Sequence, residues 1–413
     1  MRYYGRPMRQ DLDRIMKERG LGGLVVFAYD RYSPAFHYVT GQKIHYGVYL
    51  RTADGNAHLV HDPMERDQAA LAGCPTSGFP QHGLNRLLET EGHPARAFGA
   101  LIAGACAQLG MRGPVAFHGE LAAGFAHALV ARVLELEPAI QVDLSQPDVI
   151  AVARMTKDEK EIAAIRHAAR GTVAALEALI AHLRSLKRQG DHFVSNGRGT
   201  VRLGDLRRLL QEKFLAHGLA EDGDSIVSQG RDAGVPHNRG NDDELLRASA
   251  PLLIDIFPGE AGGGYHSDVT RTYCLGKAPD DLKRIYDDVS GAHRLAMDSL
   301  AVGAPCRSYQ EKVCDFFEQR GHATVRSNDG VQEGYVHGLG HGVGLAVHEA
   351  PRLGGPPSNT QSLVPGMVIT VEPGLYYPSK GVGVRIEDLV VVHPDGRFEN
   401  LTPAPYELEI ATS

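Results

Sequence analysis

The chain has 413 residues, 43% of them hydrophobic and 23% charged, with a formal net charge of −7. That length exceeds one ordinary compact core and predicts two domains. The composition is that of a globular protein, and the acidic balance argues against nucleic acid as a partner. No run approaches the roughly 20 apolar residues that span a bilayer, so no membrane partner is expected. The charged opening, MRYYGRPMRQDLDRIMKERG, has no secretory apolar core. The five cysteines (Cys74, Cys106, Cys274, Cys306, Cys314) are scattered without a CxxC pair. They read as small core residues in a reducing cytoplasm rather than a disulfide frame or zinc site.

In chain order, a helix over 8–19 precedes the apolar strand GGLVVFA at 22–28. Further strands are expected near 48–52, 57–60, 113–117 and 140–143, and helices over 96–109 and 122–136. Alternating strands and helices predict an α/β domain over 1–150. Pro147 interrupts regular structure at the boundary. Thr156 with Glu159 then fits a capping box, opening a long amphipathic helix to about 182 with Ile162, Ile165, Val173, Leu176 and Leu179 on its apolar side. Ser308 with Glu311 fits a second capping box, before a helix carrying Val313, Phe316 and Phe317. Strand-rich motifs lie between and after these helices, so 155–413 reads as an α+β domain. The basic stretch 184–204 has no periodicity. It reads as a solvated loop or, more sharply, as a flap over a site.

Chemistry concentrates in the last third. PLLIDIF and YHSDVTRTYCL read as the strands of a hairpin. A turn centred on Ala261–Gly262 sets Asp255 opposite Asp268, with Cα atoms about 4.5–5.5 Å apart. Two carboxylates that close repel unless a cation lies between them; another register would turn one acid to solvent. HGLGHGVGLAVHE holds His337, His341 and His348 among glycines that permit close backbone approach, as around a ligand. It lacks the HExxH pattern of helical zinc sites. MVITVEPG is an apolar strand ending in Glu372. VGVRIED alternates, with Gly383, Arg385 and Glu387 on one face and Val384, Ile386 and Asp388 on the other. Buried acids are costly unless paired or metallated. Four carboxylates match the charge of two divalent cations, which jointly activate a water in two-metal hydrolases. Oxygen-rich ligation with one imidazole suits Mn, Zn or Co.

The order Asp, Asp, His, Glu, Glu in the contexts DVTRT, GHGVGLAVHE, VEPGLY and RIED resembles the pita-bread metallopeptidases (family M24). These include methionine aminopeptidase, Xaa-Pro aminopeptidase, prolidase and the non-metal creatinase. The resemblance covers roughly 150–400, and FHYVTG at 36–41 is similar to an early strand motif of the creatinase/prolidase-type N-terminal domain. It implies an α/β creatinase-like domain over 1–150 and an α+β pita-bread catalytic domain over 155–413. It also implies two divalent metal ions held by Asp255, Asp268, His341, Glu372 and Glu387. The presence of all five sets this chain apart from non-catalytic, partner-binding members of the fold. Glu372, His348 and His237 match catalytic positions, with Glu372 doubling as ligand and proton shuttle. His337 matches a position near the leaving proline, Arg385 and Tyr376 resemble partners of the ligands, and all three are expected, with Arg352, among the substrate-binding residues. The implied activity is hydrolysis of the Xaa-Pro bond by a hydroxide between the metals, in dipeptides first and in longer peptides as the alternative. A dipeptidase must read a free carboxylate, for which Arg352 and the basic 184–204 stretch are candidates. The resemblance further implies a cytoplasmic homodimer.

Overall fold

The computed structural model describes residues 10–195, 199–221, 225–328 and 330–412. The chain divides into two compact units between Arg154 and Met155.

The first unit is built on one six-stranded mixed sheet. Its strand order is Thr76–Gly78, Ala57–His61, Tyr46–Thr52, Gly23–Tyr29, Gly113–His118, Ile140–Val142. Gly23–Tyr29 runs antiparallel to Tyr46–Thr52 and parallel to Gly113–His118. Six of its seven residues are buried. Its unbroken apolar run fits a strand covered on both faces. Helices Pro94–Gln108 and Ala123–Leu136 supply much of this unit's apolar core. FHYVTG is not a strand. Ser33 caps the Phe36 amide, Pro34 occupies the first helical position, and Gly41 ends the turn at φ 69°. That start and stop make Pro34–Thr40 a helix.

The second unit opens with the helix Glu159–Ser185. Its cap is Asp158, not Thr156. The Asp158 carboxylate accepts from the amides of Lys160 and Glu161, and Glu161 reaches back to the Asp158 amide at 2.8 Å. Asp caps as well as Thr, and here the capping-box partner is the second glutamate of DEKE. The second expected capping box is also absent: Arg307–Glu318 starts after Cys306, and the Ser308 hydroxyl donates back to the Pro305 carbonyl. The described residues of 184–204 are not an irregular loop. Lys187–Gln189, His192–Ser195 and Gly199–Thr200 form a three-stranded sheet with Phe193 fully buried.

Glu161 is a buried carboxyl that also accepts the Tyr265 hydroxyl at 2.9 Å. Burial pushes it up from 4.5 to about 7, against the lowering effect of the Asp158 amide. The native state therefore holds this proton across a range where the unfolded chain has released it. The group's stabilising contribution is full below pH 4.5 and is lost as pH rises through 7. Glu161→Gln should gain on the parent by ~3 kcal/mol between pH 4.5 and 8. Urea melts of both proteins across that range check the slope; parallel curves would refute the assignment.

Three sheets of this unit position the site. One orders Ile226–Gln229, Pro251–Ile256, Val269–Leu275, Glu409–Ile410. A second orders Glu349–Arg352, His341–Gly342, Val368–Val371, Asp388–Val392, Phe398–Asn400. The third pairs Gly374–Tyr377 with Val382–Arg385. The bridge Thr270↔Glu387 stitches the hairpin to the strand junction that carries Glu387, with the Glu387 amide donating to the Thr270 carbonyl at 3.0 Å. VGVRIED is broken there, between Val382–Arg385 and Asp388–Val392, yet its alternation survives. Asp388 turns to the opposite side, where Arg271, His293 and Tyr406 enclose it.

Candidate active site

The hairpin register differs from the expected one by two residues. Asp255 stands opposite Thr270, and Ile256 opposite Val269. A shift of two preserves the face, so Asp268, just before Val269–Leu275, still points to the side of Asp255, as its diagonal neighbour. The same register continues toward the turn, where Gly259 bridges to His266.

All five expected ligands line one cavity of about 840 Å³, together with His237, His337, His348, Arg352 and Arg385. Tyr376 is buried behind it. Asp268, His341 and Glu387 form a group whose ligand atoms lie within 4.8 Å of one another. The His341 Nε2 is 3.3 Å from Glu372 Oε1 and 3.8 Å from Asp268 Oδ2. His341 Nδ1 faces the Gly342 carbonyl at 3.1 Å. An Nδ1–H donated there leaves the Nε2 lone pair facing two carboxylates, an arrangement of acceptors that a bound cation satisfies.

The acids are held from behind. Arg385 Nη2 donates to Asp255 Oδ2 at 2.5 Å and Nη1 to the Tyr376 hydroxyl at 2.7 Å. Tyr376 in turn lies 2.8 Å from His337 Nε2, whose Nδ1 faces the Gly338 carbonyl at 2.7 Å. His337 therefore accepts the phenolic proton as a neutral Nδ1–H tautomer, in line with the burial that lowers its pKa. Arg385 and Tyr376 are thus committed to this chain from Asp255 to His337, not free for substrate. Thr270 Oγ1 donates to Glu387 Oε2 at 2.6 Å. Thr370 Oγ1 accepts the His341 amide at 3.0 Å and contacts Glu372 Oε1 at 3.3 Å. One oxygen each of Asp255 and Asp268 remains buried with no hydrogen-bond partner. Unpaired buried carboxylate oxygens are rare and call for an ion or water. The donor set, its second-layer hydrogen bonds and these two bare oxygens fit a divalent metal centre.

The electrostatics agree. Burial first, then the charges of Glu387, Asp255 and Glu372, push the Asp268 carboxyl well up. Glu387 is raised by burial, Glu372 and Asp255. Glu372 behaves oppositely: burial would raise it, but the His341 contact and the charges of His341, His337 and Arg385 bring it down to about 2. A bound cation favours the ionised form of all of them. His348 stands on the exposed side, its ring 4.4 Å from that of His341. Burial, His341 and Arg352 lower it to about 4, so it is neutral near pH 7.

The glycines around His341 serve the protein's own packing. A Cβ on Gly340 would sit 2.1 Å from the Thr370 carbonyl oxygen, and one on Gly342 2.2 Å from that of Ala350. They let neighbouring backbone, rather than a ligand, approach. No described residue of 184–204 lines this cavity; Ser195 and Gly199–Val201 border a separate one of about 110 Å³. Sequence reasoning missed Thr270 and Thr370. Each lies two residues from a ligand, the same-face spacing of a strand, which was the available signal. Arg239, which also lines the cavity, carried none.

Residues 163–394, more than half of the chain, match the signature of metallopeptidase family M24. The chain belongs to that family. A probable dipeptidase PepE of Mycobacterium tuberculosis is 34% identical over 261 residues, 63% of this chain and 62% of that protein. An Xaa-Pro dipeptidase of Pyrococcus horikoshii is 30% identical over 262 residues, 63% of this chain and 66% of that protein. These alignments span less than two thirds of the relatives' length. Solved structures share the fold nearly end to end. A dipeptidase of Pyrococcus horikoshii superposes with a TM-score of 0.75 at 22% identity, covering 97% of this chain and 99% of that one. An X-Pro aminopeptidase of Thermotoga maritima gives 0.71 at 21%, covering 96% and 98%. The architecture is therefore the two-domain one, an α/β creatinase-like domain followed by an α+β pita-bread catalytic domain, and family membership implies the use of divalent metal.

Proposed function

We infer that this M24 chain is an Xaa-Pro dipeptidase (prolidase) with two divalent ions, Mn, Zn or Co, held by Asp255, Asp268, His341, Glu372 and Glu387. The observation that carries this reading is the convergence of four acids and one imidazole on a single cavity wall with two bare carboxylate oxygens. Bound divalent cations supply Lewis acidity toward the scissile carbonyl and lower the pKa of an attacking water. Glu372, ionised near neutrality, takes the water's proton and returns it to the leaving proline nitrogen. Neutral His348 donates its ring N–H to the oxyanion that develops on the carbonyl oxygen. His237 and His337 flank the peptide, while Arg385 and Tyr376 keep Asp255 in place. The 1–150 domain and the 155–413 catalytic domain act together in a cytoplasmic homodimer. Five free cysteines, none in a disulfide, suit that compartment, and a sedimentation measurement checks the dimer.

Arg352 reads the proline carboxylate. Arg352 lines the cavity, and among the described residues no acid pairs with it. Metal analysis of the purified protein should find about two ions per chain, and Ala-Pro should be hydrolysed in preference to Ala-Pro-Ala. A charge-assisted hydrogen bond is worth ~1.5–3 kcal/mol, so Arg352→Met should raise KM for Ala-Pro roughly 10- to 100-fold. KM for Ala-Pro amide should not change. Equal loss on both substrates, or preferential tripeptide cleavage by the parent, would favour the aminopeptidase reading. The cavity volume of about 840 Å³ supports that second reading, being generous for a dipeptide.

A further inference from the structure

Behind the cavity wall lies a buried ion pair that no step above uses. Lys157 and Glu349, 192 residues apart, meet at 2.9 Å with side chains only 1% and 6% exposed. Lys157 is itself anchored, its amide donating to the Gly366 carbonyl at 2.8 Å. The other oxygen of Glu349 accepts the Ala346 amide at 3.0 Å. Gly344 is pressed against the same carboxylate, since a Cβ there would lie 2.6 Å from Glu349 Oε2. The Gly344 carbonyl accepts the His266 amide at 2.8 Å, tying the turn to the hairpin that carries Asp268. Residues 344–349 are thus folded around one carboxylate, and His348 is the residue before it. A buried ammonium is expensive unless it fixes something that needs fixing.

We propose that Lys157 is a positioning residue: through Glu349 it fixes the 344–349 turn and with it the place of the His348 ring beside His341. The role rests on the reading of His348 as the group that meets the scissile carbonyl. Removing the ammonium takes from the buried Glu349 carboxylate the cation 2.9 Å from its Oε2, which loosens the turn folded around it. Lys157→Met keeps the length and apolar contacts of the stem. Lys157→Met/Glu349→Gln also removes the charge that the ammonium balanced, and the glutamine carbonyl can still accept the Ala346 amide.

The test compares both variants with the metal-loaded parent in Ala-Pro steady-state kinetics and in peptide-level hydrogen exchange. For Lys157→Met, kcat should fall roughly 30-fold with KM within about threefold, the signature of an interaction made in the transition state. Exchange across 344–349 should quicken about tenfold or more while Val368–Val371 is unchanged, because local opening is independent of global unfolding. The double variant should recover most of both. A Lys157→Met protein that melts earlier but keeps the parental kcat and local exchange would overturn the proposal, as would acceleration spread evenly over the catalytic unit. If the single variant fails to fold, the double variant decides: a kcat still below the parent's with faster exchange confined to 344–349 supports the role, and parental kcat and exchange refute it. A parent inactive on Ala-Pro would count against the functional reading alone, since exchange reports the turn without turnover.

Discussion

Glu372→Gln should lower kcat for Ala-Pro by about 10³-fold or more while leaving the fold intact. The side chain is asked to do two things. On the proposed reading it would give an oxygen to the cation and would move a proton from water to the proline nitrogen. Glutamine matches its shape and keeps a carbonyl oxygen for the Thr370 hydroxyl, which is 3.3 Å away. It cannot take up the proton. The carboxyl is held down at about 2, first by the 3.3 Å contact with His341 against the opposing effect of burial. Replacement therefore also removes the negative charge closest to that imidazole. Weaker metal binding is expected as well, so the comparison belongs at saturating Mn, with KM close to parental. Turnover within tenfold of the parent, in a variant with unchanged circular dichroism and metal content, would sink the proton-shuttle role.

The site was more legible in the sequence than the geometry that assembles it. Each proposed ligand sits at a strand end or a strand break, and strand alternation settled which face it takes. That is why Asp255 and Asp268 share a wall although their register was misjudged by two. The sequence pattern cannot count residues in a glycine-rich turn, where several lengths close equally well. The capping box moved from Thr156 to Asp158 because two acceptable caps stand two residues apart, and the better-placed glutamate partner decided between them. FHYVTG resembles a strand motif of the family's N-terminal domain, but Pro34 and Gly41 punctuate it as a helix. The three-stranded sheet of 187–200 hides behind a basic composition, with Phe193 as its one clear apolar anchor. Long-range polar pairs left no local trace. Lys157 finds Glu349, and Arg271 finds Asp388 at 2.7 Å, across 192 and 117 residues. Arg271 also donates to the Glu387 carbonyl at 2.6 Å, which fixes a ligand's backbone from the opposite side of the sheet.

Asp268→Asn should stabilise the metal-free protein and destabilise the metal-loaded one relative to the parent. Without a cation the site is a frustrated cluster. Asp268 is buried, repelled by Glu387, Asp255 and Glu372, and one of its oxygens has no partner. Burial and those neighbours already force its carboxyl well up. Asparagine removes the like charge and brings two N–H donors into a cavity crowded with acceptors, a change worth ~1–3 kcal/mol where it satisfies a buried group. A cation reverses the account, because the clustered charge is then what binds it. At a thousandfold excess of metal over Kd the parent gains ~4 kcal/mol, and a variant with one ligand fewer gains less. The order of stability should therefore cross between EDTA and Mn in urea melts of the two proteins. If Asp268→Asn is the less stable protein in EDTA, the acids are satisfied by something other than a cation. If both gain equally from Mn, Asp268 is not a ligand. The predicted crossing follows from one trade: stability given up in the empty cluster becomes binding energy in the filled one.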